Sequence, residues 1–338
     1  MAYTTQDYAI TQAIARIKAD YGDTVSVVAK KKILRKFGES QQVQTTATTL
    51  MGNLTGVYNE TYVEQNLITH FASSSTADTM KLTVEGHTAG ADVSVSSITQ
   101  TAGTATVTTS TDHGFAVGDW VNVRGANESE YNGIVQVATA PTSTTFTYTV
   151  DSGASSPATG TIITNSYDKT FVSQTVQLAG RTKTALTTPL ARCTRMYITE
   201  QNKAFNAVGT IYCAEDVSFS AGVPASGVHC TIPAGKNQSR KASTTISKDD
   251  YYLLLDFHAH NQEKTSGRVA NVELQIRKPG DVFRTIEDLT VNSGLTNKIE
   301  FEEIETVPKN SDIRLVAFAS TNGLEIGGTF QGYLASIQ

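Results

Sequence analysis

The feature that most constrains this fold is a nested pattern: a block of short strands at residues 94–164 lies between two stretches that read as halves of one strand pair. Inside the block, Thr104–Thr109 alternates β-branched and small residues, and residues 119–123, 131–137, 144–150 and 161–164 continue the alternation. Turn residues separate them, at Asp112-His113-Gly114, Gly118-Asp119, Gly125-Ala126-Asn127 and Ala140-Pro141. Five strands in roughly 70 residues enclose only a small core. Trp120, Val121, Val123, Ile134, Val137, Phe146 and Tyr148 are expected to supply it. Residues 80–86 and 170–178 alternate on either side and, rejoined, make an ordinary strand pair. A module whose ends lie close together is tolerated in a hairpin because the host pairing is untouched.

The remainder also reads as strands. Thr, Ser, Val and Gly are abundant and Pro is scarce, which favours strands and tight turns. Eight further candidates follow residue 194, the clearest being Val272–Arg277, where Val272, Leu274 and Ile276 should face inward and Glu273, Gln275 and Arg277 outward. The expected fold class is mainly β: a β-sandwich or jelly-roll core with an inserted small β-barrel-like module and an N-terminal helical arm. The expected division is an arm and linker at 1–60, a core at 61–93 plus 165–338, and the module at 94–164. The core has room for two sandwiches, dividing near 205.

The first 60 residues differ in character. Tyr8, Ile10, Ala13, Ile14 and Ile17 share one helical face, and Gly22 marks a stop. Residues 25–37 read either as a second helix or as a strand with a basic helical turn, carrying Lys30, Lys31, Lys32, Arg35 and Lys36. Such an arm either docks on a neighbouring subunit or packs on its own domain. The net charge of −5 argues against nucleic-acid binding by the whole chain, leaving the basic arm as the one local candidate. Cys193, Cys213 and Cys230 are odd in number and lack CxxC spacing, so neither a disulfide framework nor a structural zinc site is indicated. No signal-peptide core or membrane-length apolar run is present, and the expectation is a reduced, cytosolic protein.

Candidate chemistry is sparse. Asp256, His258 and His260 share a strand face and are weak candidates for metal ligands, needing a further partner such as His229. Glu300, Glu302, Glu303 and Glu305 form an acidic run that reads as a solvated edge discouraging unwanted strand pairing. Lys236, Arg240 and Lys241 sit among hydroxyls in a stretch that reads as an exposed connecting loop, or as a patch for sulfate, phosphate or an acidic partner. GxSxG, HExxH, Walker and dinucleotide-binding fingerprints are absent, so neither an enzyme nor a cofactor is expected.

LTVEGH at 82–87, FVSQTVQLAGRTKTALTTPLARCTRMYIT at 171–199, VGTIYC at 208–213, IPAGKNQSRKA at 232–242, and DIRLVAFAS with the closing GTFQGYLASI together resemble virion structural proteins of tailed phages, especially marine ones. Residues 103–150 resemble a small β module common in phage structural proteins, with DHGF standing at its GHGF-like turn. The resemblance implies a short link between the first two strands, where this chain carries its block. It further implies a non-enzymatic virion protein, built in host cytoplasm as a trimer or ring, with itself and other virion proteins as partners. Its expected place is on the head, as capsid, decoration protein or head fibre. Two alternatives remain open. One is a tail component or receptor-binding protein whose module stacks a host glycan on Trp120, Tyr131 or Tyr148; the other is a shell subunit with two stacked jelly rolls.

Overall fold

Side chains that alternate between apolar and polar bury one face of a strand and wet the other. In the computed structural model, which describes residues 5–21, 27–46, 48–50, 66–200 and 206–337, they pair into antiparallel sheets. The chain is mainly β, with one α-helix among the described residues, Thr5–Tyr21.

The first sandwich packs a three-stranded sheet on a four-stranded one. The three-stranded sheet runs Thr170–Gln177, Lys81–Thr88, Arg192–Ile198; the other runs Thr184–Leu190, Ile68–Ser73, Ile211–Glu215, Val228–Ile232. Phe71, Leu82, Val84, Leu190, Met196 and Ile211 meet between them. Cys193, Cys213 and Cys230 are buried free thiols in the same core.

A second sandwich follows. One sheet runs Val27–Val43, Leu324–Ile337, Asp250–Asn261, Thr296–Val307; its partner runs Ser243–Thr245, Asp312–Ala319, Val269–Arg277, Arg284–Asn292. Val272, Leu274 and Ile276 face in, as their alternation requires, and meet Tyr252, Leu254, Phe257 and Phe330. The change of core falls between Ile232 and Ala242, not near 205, because the strands Ile211–Glu215 and Val228–Ile232 complete the first sandwich.

Between Thr88 and Thr170 the chain makes an excursion. Lys81–Thr88 and Thr170–Gln177 pair in unbroken register from Lys81↔Gln177 to Thr88↔Thr170. The excursion folds as a seven-stranded sheet, in which Trp120–Ala126 and Gly160–Ser166 lie beside Val93–Thr101, Thr104–Thr109 and Thr145–Thr149. It closes around its own core of Ile98, Val107, Val121, Val123, Phe146 and Tyr148. The strand Val93–Thr101 was not anticipated, because its serines and threonines hide the alternation.

The N-terminal region opens on the expected helix, and of its two expected packings the one on its own domain is found. Ala13 and Ile17 form a helical face that covers Tyr251, Leu253, Ile304 and Ala335 of the chain's own second sandwich. Residues 27–43 form a 17-residue strand paired from Val27↔Ile337 to Val43↔Leu324, and Thr48–Thr49 pairs with Asp312–Ala319. The lysine run masks a pattern in which Leu34 and Lys36 share one strand face and Arg35 takes the other. The polar stretch 41–49, expected as a soft linker, is instead held at both ends by strand pairing, and the rest of the expected arm and linker, 51–60, lies outside the described residues.

A buried ion cluster joins the sandwiches. Arg192, on the first, donates from Nε to Asp312 Oδ1 at 3.1 Å and from Nη2 to Oδ2 at 3.2 Å; Arg277 Nη2 reaches Oδ2 at 2.5 Å, and the Thr245 hydroxyl donates to Oδ1 at 2.6 Å. Burial alone would raise the Asp312 carboxyl, but Arg192 and Arg277 outweigh it and hold it well below the usual carboxylate range. The excursion is fixed to the same region: Lys169, fully buried, donates its backbone N–H to Asn310 Oδ1 (2.9 Å), and the Trp120 ring covers Gly280.

Two outcomes test this frame. Asp312→Asn should cost about 3–5 kcal/mol by stranding two buried guanidiniums. A carboxyl depressed in the folded state stabilises it above the unfolded pKa of about 3.9 and loses that contribution as pH falls below it. Urea unfolding of the variant should therefore show a weaker loss of stability below pH 4 than the parent. At Gly280 (φ +72°) a Cβ would lie 2.3 Å from Trp120 Cζ3, so Gly280→Val must push the ring away. Trp120 is the chain's single tryptophan, and its fluorescence should shift to the red in the variant.

Candidate functional site

A β-bulge creates the most distinctive polar site. The strand Arg192–Ile198 slips register against Lys81–Thr88 between Cys193 and Arg195, leaving Thr194 out of the ladder. A bulged residue leaves its backbone groups unpaired. Here two lysines take the freed carbonyls: Lys36 Nζ donates to Thr194 O at 3.2 Å, and Lys241 Nζ to Cys193 O at 2.8 Å and His229 O at 2.8 Å. Lys36 arrives from the N-terminal strand and Lys241 from the segment linking the sandwiches. The wall around them encloses a cavity of about 570 Å³.

Glu85, His87, Phe171 and Arg195 come to this cavity from the first sandwich; Leu34, Ser247, Asp250 and Leu334 come from the second. Arg195 lies 3.9 Å from Glu85 and donates to Gln238, while Asp250 accepts from Ser336 at 2.6 Å. Lys36 makes one hydrogen bond and no ion pair among the described residues. Burial lowers its pKa to about 8, against an opposing pull from Glu85. Burial, then the Lys36 charge, lowers His87 to about 3, so its ring is neutral at physiological pH. His87 Nε2 meets the Ser247 hydroxyl at 3.2 Å, and Nδ1 is buried without a partner among the described residues. Phe171 stands edge-on to His87 with its centroid 5.7 Å away, and is 48% exposed.

Of the basic run, Lys36 is thus buried in a wall and Arg35 is exposed, hydrogen bonded to Gln331. Lys30, Lys31 and Lys32 belong to the strand, in which the register breaks between Lys30 and Ile33. The segment expected as an exposed loop divides: residues 233–238 are exposed or half-buried, whereas Lys241, Ala242 and Ser243 to Thr245 are covered because they thread between the sandwiches. Arg240 pairs with Glu39. His87, Glu85 and Thr194 were missed by sequence reasoning. The shared strand parity of Lys36 and Leu34 was the one available signal for a buried cation.

The remaining candidates separate. Tyr131 and Tyr148 are not offered to solvent: both are buried in the excursion's core, with Tyr131 Oη donating to Ser155 O at 2.7 Å and Tyr148 Oη to Tyr131 O at 3.0 Å. Their alternation put them on the inner face. Trp120 is half-buried against Gly280. Asp256 and His258 do meet, at 3.1 Å, but Gln331 and Lys298 occupy the other carboxylate oxygen at 2.6 and 3.6 Å. His260 lies over Gly327 and stacks on Phe37, and His229 pairs with Glu215 at 2.9 Å in the first sandwich. No cluster of three or more metal-ligating side chains occurs among the described residues.

No protein-family model matches this chain, and no characterised protein matches it. Among solved structures, the phage phi92 endosialidase aligns with a TM-score of 0.19 and 12% identity, over 85% of this chain and 59% of that one. The chain therefore spans less than two thirds of the endosialidase's length. The infectious bursal disease virus Gt strain aligns at 0.18 and 10%, over 93% and 72% of the two chains. The T13 particle of infectious bursal disease virus aligns at 0.18 and 10%, over 99% and 81%. Scores this low establish no shared fold. No helix among the described residues is long and apolar enough to cross a membrane.

The lysine at the bulge yields a pH test. A lysine whose folded pKa is lowered opposes folding while charged, so stability should rise as pH climbs from about 8 towards 10.5. The amplitude is on the order of 3 kcal/mol. Lys36→Met should lack this rise and be at least as stable as the parent at pH 7, measured by urea unfolding across that range.

Proposed function

We propose that this chain is a non-enzymatic structural protein of a virus particle, working by association with copies of itself. The resemblance to tailed-phage virion proteins supports the particle and favours its head. The geometry of one sheet supports the self-association, and it carries the reading.

That sheet has four antiparallel strands, so its two edges, Val27–Val43 and Thr296–Val307, run in opposite directions. A neighbouring copy related by rotation about a common axis can then add its Thr296–Val307 edge antiparallel to Val27–Val43 and continue the sheet. The sequence places Lys30, Lys31 and Lys32 in one edge and Glu300, Glu302, Glu303 and Glu305 in the other. Both edges break register at nearly one level. Lys31 and Lys32 fall in a break opposite Leu334 and Tyr333; Glu302 and Glu303 fall in a break opposite Leu254 and Asp256, which pair with Gly332 and Gln331. The offset is about two residues, roughly 7 Å along the strands. Two-fold pairing of like edges would oppose like charges, the usual protection of an exposed edge. Unlike edges attract, and a rotation that closes gives a ring.

The excursion at 93–166 is read as an insert displayed by this assembly, since it leaves and re-enters the host hairpin at directly paired residues, Thr88 and Thr170. Burial of Tyr131 and Tyr148 leaves the half-buried Trp120 as the remaining candidate ring for a glycan-binding tail protein. Two stacked sandwiches in one chain support the double-sandwich shell subunit instead.

Light scattering on purified protein tests the association. The wild type should be oligomeric, and the pairs Lys31→Glu/Lys32→Glu and Glu302→Lys/Glu303→Lys should each be monomeric. Mixed one to one, the two variants should co-assemble, because each supplies the edge that the other's partner needs. A monomeric wild type, or an oligomer indifferent to both changes, would overturn the reading.

A further inference from the structure

The cavity at the Thr194 bulge holds a buried cation with unused binding capacity. An ammonium has three donors, and Lys36 spends one, on Thr194 O. The neighbouring positive groups are committed elsewhere: Lys241 to two carbonyls, Arg195 to Gln238 and Glu85. Asp250 is held by Ser336 and does not pair with Lys36. His87 Nδ1 is a second unmet polar atom in the same wall. A buried charge without a direct ion pair is unfavourable, since Glu85 offsets it only at a distance, and an anion entering here would relieve it. The space, about 570 Å³, is in the range that takes a small molecule. Leu334 and the half-exposed Phe171 give it an apolar side.

We propose that this inter-sandwich cavity binds an oxyanion head group, with Lys36 as its counter-ion and Phe171 and Leu334 against whatever body the head carries. The head is either free phosphate or the carboxylate of a small organic acid. The site would exist only where both sandwiches are docked, so its occupant would strengthen their contact. It stands apart from the virion reading, since it rests on no assembly and no resemblance.

Thermal unfolding of the full chain, with inorganic phosphate, glucuronate or neutral glucose at constant ionic strength set by chloride, tests it. The midpoint should rise with phosphate, glucuronate or both, and not with glucose. Phosphate alone identifies the free ion; glucuronate alone identifies an organic acid. Lys36→Met should weaken the effective anion at least tenfold, whereas Arg284→Gln, at an exposed surface ion pair, should leave it unchanged. Phe171→Ala, an exposed change that the fold tolerates, should weaken glucuronate and spare phosphate, and it serves as the readout if Lys36→Met fails to fold. No response to either anion, an equal response to glucose, or full retention in Lys36→Met would overturn the proposal.

Discussion

The architecture depends on one buried carboxylate. Asp312 is fully enclosed and is held ionised by Arg192 from one sandwich and Arg277 from the other. An ion desolvated to this degree is tolerable only when its partners are fixed, and the partners are fixed only when the sandwiches are docked. The contact is therefore specific where an apolar seam would permit sliding. A slide would strand three charges at once.

The lysines at the Thr194 bulge repeat that logic in a weaker form. The bulge frees carbonyls on the first sandwich, and Lys36 and Lys241 reach them from the N-terminal strand and from the link between sandwiches. Six separated parts of the chain meet there: residues 34–37, 85–87, 194–195 and 238–250, with Phe171 and Leu334. Because lysine stems span a distance that apolar side chains would fill, they leave a cavity where close packing would otherwise be the rule. This polar space with spare donors is thus a by-product of how the two halves are joined.

The excursion uses a different device. The strands on either side of it, Lys81–Thr88 and Thr170–Gln177, pair in unbroken register, and its own core is separate. Attachment comes instead from Lys169, whose backbone is held by Asn310 and whose ammonium donates to Tyr167 O and lies over the Tyr167 ring, and from Trp120 against Gly280. A glycine at positive φ lets the indole come close enough to act as a rest for the whole unit. These contacts fix its direction relative to the second sandwich, which a hairpin stalk alone would leave free.

Strand alternation is a local property, and the sequence by itself determined the strand content, the inward face of Val272–Arg277 and the helical face at Ala13 and Ile17. Burial of Tyr131 and Tyr148 followed the same alternation, yet reading them as surface aromatics set it aside. Tertiary structure decided what depends on distant partners. Residues 25–37 alone read either as a helix or as a strand with a basic turn, and the strand is selected because Leu324–Ile337, some 300 residues later, offers an edge. The boundary between sandwiches, the bulge at Thr194 and the Asp312 cluster likewise pair residues over 100 positions apart. No local pattern encodes such pairings, because the free energy that selects them is the burial and charge compensation that appear only when the sheets meet.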